Sequence, residues 1–321
     1  MFDKKENMRK AYVEQMLLSA RSHPELFWMD MDLSSSTQGG KFKAEFSHQY
    51  LNLGVAEQLG VGMLAGYAHE GMKPHGHTFA VFWPRAADFI TNQIALNNLP
   101  VRLIGYHGGI QTGEDGPTAQ AITDLAFMRA LPNMKVVVPS DGVQVRAAVE
   151  TIIESKGPVY VRLVRNDVPM IHKNESIPYA FMFGRGDLMY SPQLHMGAER
   201  DHATIVACGP LVANSLEAAI ELEKEGTYLR VIDMASIKPI DAELLVNAAR
   251  DTGFIFTAED HVKEGGLYSA VAETLAAEYP VLMKSMSVPS FMSSGKPQEL
   301  YRLAGFMPEQ IMETVRAELK E

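Results

Sequence analysis

Short apolar runs alternate with stretches of helical amphipathic spacing along most of this chain, the pattern of strands and helices taking turns. Residues 8–22 read as an amphipathic helix and 26–31 as a short strand ending among Asp30 and Asp32. Residues 56–69 are helical, with Gly60, Gly62 and Gly66 permitting close packing on another backbone. A strand follows within 73–82, a helix over 84–97, a strand over 101–105, a glycine-rich exposed loop over 108–120 and a helix over 121–129. Strand 135–139, helix 143–155 and strand 159–163 complete one α/β layer structure. From about residue 169 to 201 the texture changes to polar residues with Met, Tyr, His and Gly and no clear period, a linker with at most a strand or two. A second α/β series then runs strand 203–207, helix 212–225, strand 228–233, helix 241–251, strand 253–258, helix 266–278 and a closing helix 307–319. The expected fold class is two α/β domains with mostly parallel sheets: 1–170, a linker 171–201, and 202–321.

The length of 321 residues fits two domains of roughly 150 residues each. A net charge of −10 leaves no broad basic face for counterion-releasing contact with nucleic acid, which removes that class. No apolar run nears the roughly 20 residues needed to span a bilayer. The charged first ten residues are followed by no apolar core of a secretory signal. The single cysteine, Cys208, cannot form an internal disulfide and reads as a small buried residue. These features predict a cytoplasmic, soluble protein without tracts of low complexity or short repeats.

Four segments carry candidate chemistry. Asn52-Leu-Gly-Val-Ala-Glu-Gln58 places Glu57 just inside a helix start, where the helix dipole favours an acid and where Leu53, Val55, Leu59 and Val61 offer an apolar setting. Thr78-Phe-Ala-Val-Phe82 is an apolar strand, readable as core alone. Residues 107–120 crowd glycines, acids and hydroxyls between a strand and a helix, and such loops bind ligands at strand C-terminal ends in open α/β sheets. Residues 159–165 form a strand whose arginines face either an anion or solvent.

In order and spacing, these segments resemble the transketolase family. The G-V-A-E-Q at 54–58, T-F at 78–79, H-x7-D-G-P-T-x-Q at 107–120 and LPNM-x-V-x-x-P-x-D at 131–141 occur in family order. The resemblance continues through G-P-x-Y-V-R-L-x-R at 157–165, A-C-G at 207–209 and E-D-H-V-x-x-G-G-L at 259–267. It covers nearly the whole chain except the linker, and implies a pyrimidine-binding domain followed by a transketolase C-terminal domain.

The resemblance implies thiamine diphosphate as cofactor. Glu57 matches the glutamate that hydrogen-bonds N1′ of the aminopyrimidine, so that its 4′-imino group can take the proton from thiazolium C2; a carboxyl in apolar surroundings can share a proton with a ring nitrogen. Phe79 and Phe82 match the rings that pack on the pyrimidine, and Asp32 and Leu33 a cofactor-facing turn. His107, Arg9, Ser36 and Arg165 match sugar-phosphate positions, since guanidinium pairs with phosphate bidentately. Asp115 matches an acid that binds a substrate hydroxyl, or else simply forms the turn before Gly116. Glu259, Asp260, His261 and the Gly265–Gly266 pair read as structural.

The chain departs from the family in two ways. Where family members read D-G-P-T-H-Q it has Ala119, which removes an imidazole that contacts the donor. It also has no G-D-G motif, the diphosphate and metal cradle that binds Mg²⁺ or Ca²⁺ in the family. The resemblance therefore implies half of each active site, completed by a partner subunit carrying the G-D-G motif, with an α2β2 heterotetramer expected from the family's symmetric dimers. The expected activity is transfer of a two-carbon ketol unit between sugar phosphates. Two alternatives stay open: the β subunit of another thiamine-diphosphate enzyme (2-oxo acid dehydrogenase or deoxyxylulose-phosphate-synthase-like), and a non-catalytic scaffold.

Overall fold

In a computed structural model of the chain, residues 2–172 and 178–319 are described; part of the segment read as a linker, residues 173–177, lies outside them. The first sheet has seven strands in the order Ser236–Lys238, Lys135–Val137, Val159–Arg162, Arg102–Tyr106, Lys73–Phe79, Leu26–Asp30 and Tyr50–Asn52. All neighbours are parallel except Ser236–Lys238, which runs antiparallel along Lys135–Val137. The second sheet has the order Leu282–Met286, Phe254–Ala258, Ala203–Ala207, Leu229–Asp233 and Asp187–Tyr190, with only Asp187–Tyr190 antiparallel. Strand Asp187–Tyr190 thus draws part of the polar segment 171–201 into a sheet. The edge strand Ser236–Lys238 crosses the other way, from the second α/β series into the first sheet.

Parallel central strands buried on both faces need continuous apolar side chains, and Val159, Val161, Leu103 and Ile104 supply them. Helix Met8–Ala20 packs against helix Gly142–Ile153 over one face of the first sheet, burying Val13, Met16, Val145 and Val149. Each such fully buried aliphatic contributes about 1.5–3 kcal/mol. The helix expected over 84–97 is instead broken into three short pieces that widen in turn: a 3-10 segment Ala80–Ala86, one α turn Ala87–Phe89 and a π segment Ile90–Ala95. Pro84 lies inside the 3-10 segment and has no N–H to give to a regular helix. The loop 108–120, expected to be exposed, is mostly buried, with only residues 114–115 and 117–118 exposed. The second α/β unit covers it: Ser294 donates to the Glu114 carbonyl, and a Cβ on Gly113 would lie 3.0 Å from Pro297.

The loop after Leu26–Asp30 is fixed by Asp30, whose buried carboxylate accepts from Trp28 Nε1 (3.0 Å), Thr37 Oγ1 (2.8 Å) and Tyr50 Oη (2.9 Å). Gly39 sits so close that a Cβ there would lie 2.1 Å from that carboxylate. Among the described residues no helix is long and apolar enough to cross a membrane.

Candidate active site

The N-terminus supplies the first functional side chain. Asn7 caps helix Met8–Ala20, its Oδ1 accepting from the Arg9 and Lys10 amides, and the same oxygen takes Arg9 Nε at 3.2 Å. Held there, Arg9 Nη1 donates to the Ser36 carbonyl (3.1 Å) and to His107 Nε2 (3.4 Å). Ser36 therefore meets Arg9 through its backbone carbonyl and not its hydroxyl. Asn7 Nδ2 also reaches the Arg165 carbonyl at 3.3 Å, tying the two arginine-bearing segments together.

His107 ends strand Arg102–Tyr106 in the left-handed region, with φ 58°, a conformation uncommon outside glycine and frequent at functional turns. Its ring stacks on Phe79 with centroids 4.0 Å apart, and Phe79 in turn stacks with Phe82 at 5.6 Å. Burial, with Arg9 and Arg165 nearby, pushes the His107 pKa down to about 3, so the ring is neutral. A guanidinium can only donate, so Nε2 accepts from Arg9 and the proton sits on Nδ1. That Nδ1 is buried without a protein partner, a donor available to an oxygen of a bound molecule.

Glu57 opens helix Glu57–His69 and is buried at 4% exposure. Its Oε1 accepts from Arg85 Nη1 at 3.1 Å, and the Arg85 guanidinium lies 4.1 Å over the Phe82 ring. Glu57, Arg85, Phe82, Phe79, His107, Arg9 and Ser36 thus form one continuous run. Arg85 is the member the sequence reading missed; its signal was an arginine one turn beyond Phe82, beside the glutamate's helix. The apolar setting proposed for Glu57 is only half present: Val61 is buried and Leu53 partly so, but Val55 and Leu59 are 70% and 56% exposed. Those two side chains lie on the side of the segment turned away from the sheet core.

Asp32 is exposed, with φ 61°, and its amide donates to Asn52 Oδ1 (3.1 Å), which also accepts from the Gly54 amide (3.0 Å). The turn holding Asp32 and the half-buried Leu33 is thereby tied to the segment leading into Glu57. Asp115 and Arg165 pair with each other at 3.3 Å at the half-exposed mouth, and Arg165 Nη1 also donates to the Thr112 carbonyl at 2.6 Å. The half-buried Ala119 donates its amide to the Gly116 carbonyl.

The other strand arginine is sealed from solvent, and the anion it faces is a carboxylate of this chain. Arg162 is buried, donating to Asp124 Oδ2 (3.0 Å) and to the carbonyls of Ala121 and Asp260. Asp260 pins the glycine-rich loop from the second unit: Oδ1 accepts from the Ile110 amide at 2.9 Å and Oδ2 from Tyr301 Oη at 2.9 Å. Gly109, at φ 76°, lets the loop approach so closely that a Cβ would fall 2.1 Å from Asp260. Glu259 accepts from the Leu267 and Tyr268 amides at the start of helix Leu267–Glu278.

A parallel α/β sheet with these groups gathered at the C-terminal ends of its strands defines the class, and the comparisons specify it. The family model of the transketolase pyrimidine-binding domain matches residues 4–170, and that of the transketolase C-terminal domain matches residues 193–311. The chain belongs to the transketolase family, and its matches place it with the C-terminal section of split members. It is 37% identical over 317 residues to a putative transketolase C-terminal section of Methanocaldococcus jannaschii, covering 98% of this chain and 96% of that one. It is 32% identical to one of the subunits of the apulose-4-phosphate transketolase of Phocaeicola vulgatus, covering 95% of each. The human transketolase is 33% identical over 96% of this chain, which spans only 48% of that protein. Among solved structures, a split-gene transketolase, described as an inactive β4 tetramer, superposes with TM-score 0.88 at 40% identity and 98% coverage of both chains.

Proposed function

We propose that this chain is one subunit of a two-chain transketolase that moves a two-carbon ketol unit between sugar phosphates, with thiamine diphosphate held between it and a partner. The observation that carries the reading is the run from buried Glu57 through Arg85, Phe82 and Phe79 to neutral His107, with Arg9 beyond. A buried carboxylate beside two half-buried rings suits a flat nitrogen heterocycle, and the orphan His107 Nδ1–H suits a substrate oxygen. When bound, thiamine diphosphate supplies a carbon nucleophile for breaking and remaking a carbon–carbon bond beside a carbonyl.

In this reading Glu57 exchanges its contact with Arg85 for the N1′ nitrogen and shares a proton there. Phe79 and Phe82 pack the ring, and Asp32 and Leu33 line its edge. His107 donates to the sugar, Asp115 holds a sugar hydroxyl, and Arg9 and Arg165 grip the phosphate near the Ser36 loop. The exposed Val55 and Leu59 beside Glu57 support a second chain closing the pocket. That chain carries the G-D-G motif and the Mg²⁺ or Ca²⁺ ligands, in an α2β2 heterotetramer in the cytoplasm. The inactivity stated for the related β4 tetramer supports the need for a partner. Ala119 favours a second reading, in which the donor differs from the usual ketose.

The test is calorimetric titration of thiamine diphosphate with Mg²⁺ into this chain alone and into its mixture with the partner. Tight binding in the mixture only, lost in Glu57→Ala, is the expected result. No binding in the mixture overturns the proposal.

A further inference from the structure

A second polar cluster lies apart from the run just described, where the connecting segment meets both sheets. His172 comes from that segment, Asp187 opens strand Asp187–Tyr190, and Asp233 closes strand Leu229–Asp233 opposite it in the register. His172 is 8% exposed and Asp233 fully buried, while the Asp187 side chain is 36% exposed. His172 Nε2 stands 3.6 Å from Asp187 Oδ2 and 3.6 Å from Asp233 Oδ2, and the three residues each bring a ligand atom within 4.8 Å of the others. Neither ring nitrogen of His172 completes a hydrogen bond of good geometry, and Asp233 Oδ1 is likewise buried without a partner.

These separations exceed a hydrogen bond but match ligands on one small ion: tetrahedral bonds of about 2.1 Å place ligand atoms about 3.4 Å apart. The groups behind them have the arrangement that orients metal ligands. Asp141 Oδ2 lies 3.3 Å from His172 Nδ1 and is itself fixed by the amides of Ile171 and His172. Ser140 Oγ donates to Asp233 Oδ2 at 2.5 Å and Tyr179 Oη to Asp187 Oδ2 at 2.5 Å, while Gln144 Nε2 bridges the same two oxygens at 3.1 and 3.4 Å, a contact that an ion bound there would replace. The partial exposure of Asp187 gives an entry path and an open position.

We propose that His172 Nε2, Asp187 Oδ2 and Asp233 Oδ2 form a site for a first-row divalent transition metal that clamps the connecting segment and the second sheet together. An imidazole with two carboxylates suits Zn²⁺ better than Mg²⁺, which prefers an all-oxygen octahedron. The site does not rest on the thiamine-diphosphate reading, because it lies wholly within this chain and uses none of that machinery.

The test is zinc content of the full chain alone, without partner or thiamine diphosphate, after dialysis against Zn²⁺ and then metal-free buffer. One Zn²⁺ per chain is expected in the wild type, and none at this site in His172→Gln or Asp187→Asn. Asp187 is partly exposed, so its variant retains the fold. At a hundredfold excess over the dissociation constant, Zn²⁺ should raise the unfolding temperature by about 4 °C in the wild type only. Mg²⁺ should do neither. Equal zinc content in all three proteins, or none in the wild type, overturns the site and leaves His172 as an imidazolium latch among carboxylates.

Discussion

Arg162 and Arg165 stand three residues apart in one segment, and their surroundings give them opposite work. The side chains of Arg162 and its partner Asp124 are each 1% exposed, and the guanidinium spends its donors on this chain's carboxylate and carbonyls. Burial alone lowers an arginine's pKa, yet the carboxylates of Asp124 and Asp260 raise that of Arg162. Arg165 and Asp115 are about a third exposed and pair loosely at 3.3 Å. A charge sealed with its partners supports the fold, whereas one left at a mouth beside an orphan imidazole donor stands ready for a ligand.

The largest effect that can break this contrast is on stability. Arg162→Ala leaves Asp124 buried without its guanidinium and should cost about 3–5 kcal/mol of unfolding free energy, read from urea denaturation. A loss below 1 kcal/mol would place Arg162 with the surface pairs. Next comes Glu57→Gln, which keeps the shape of the carboxylate but not its proton exchange. Turnover of the assembled enzyme should fall about 100-fold or more, with little change in the urea midpoint of the chain.

A third measurement concerns His107. An imidazole held at about 3 in the fold and near 6.5 when unfolded takes up its proton only on unfolding across that window. The unfolded state then binds more protons than the native one, so stability declines as pH falls from about 6.5 toward 3. His107→Asn should flatten that decline in a series of unfolding curves, and an unchanged slope would show that the ring is not neutral in the fold. The smallest expected change is from Arg165→Ala: under about 1 kcal/mol in stability, with weaker binding of a sugar phosphate as its sign in steady-state kinetics.

The sequence made the alternation of strands and helices legible because parallel central strands are mostly apolar on both faces, as at residues 101–105 and 159–163 apart from the buried Arg102 and Arg162. The grouping of Glu57, Phe79, Phe82, His107 and Arg9 was legible too, in that the structure gathers them into one run. The elements it hid are those defined by their neighbours. Tyr50–Asn52 and Ser236–Lys238 are three-residue edge strands, too short to carry a period. The burial of loop 108–120 depends on Asp260, Ser294 and Pro297, more than 140 residues away in sequence. Arg162 and Arg165 look alike in a strand pattern, because only the position of Asp124 across the fold separates them. Val55 and Leu59 read as core by composition, and no local signal marks them as surface.

The strand Ser236–Lys238 bears on where a polypeptide of this design can be severed. It is the outermost rung of a sheet whose other rungs all precede residue 163, and it shields the backbone of Lys135–Val137 on its far side. Separating the two α/β units would uncover that ladder and leave a template for indiscriminate pairing. Each unit therefore relies on the other for a finished sheet edge, and fragments parted at the middle should expose one to foreign strands.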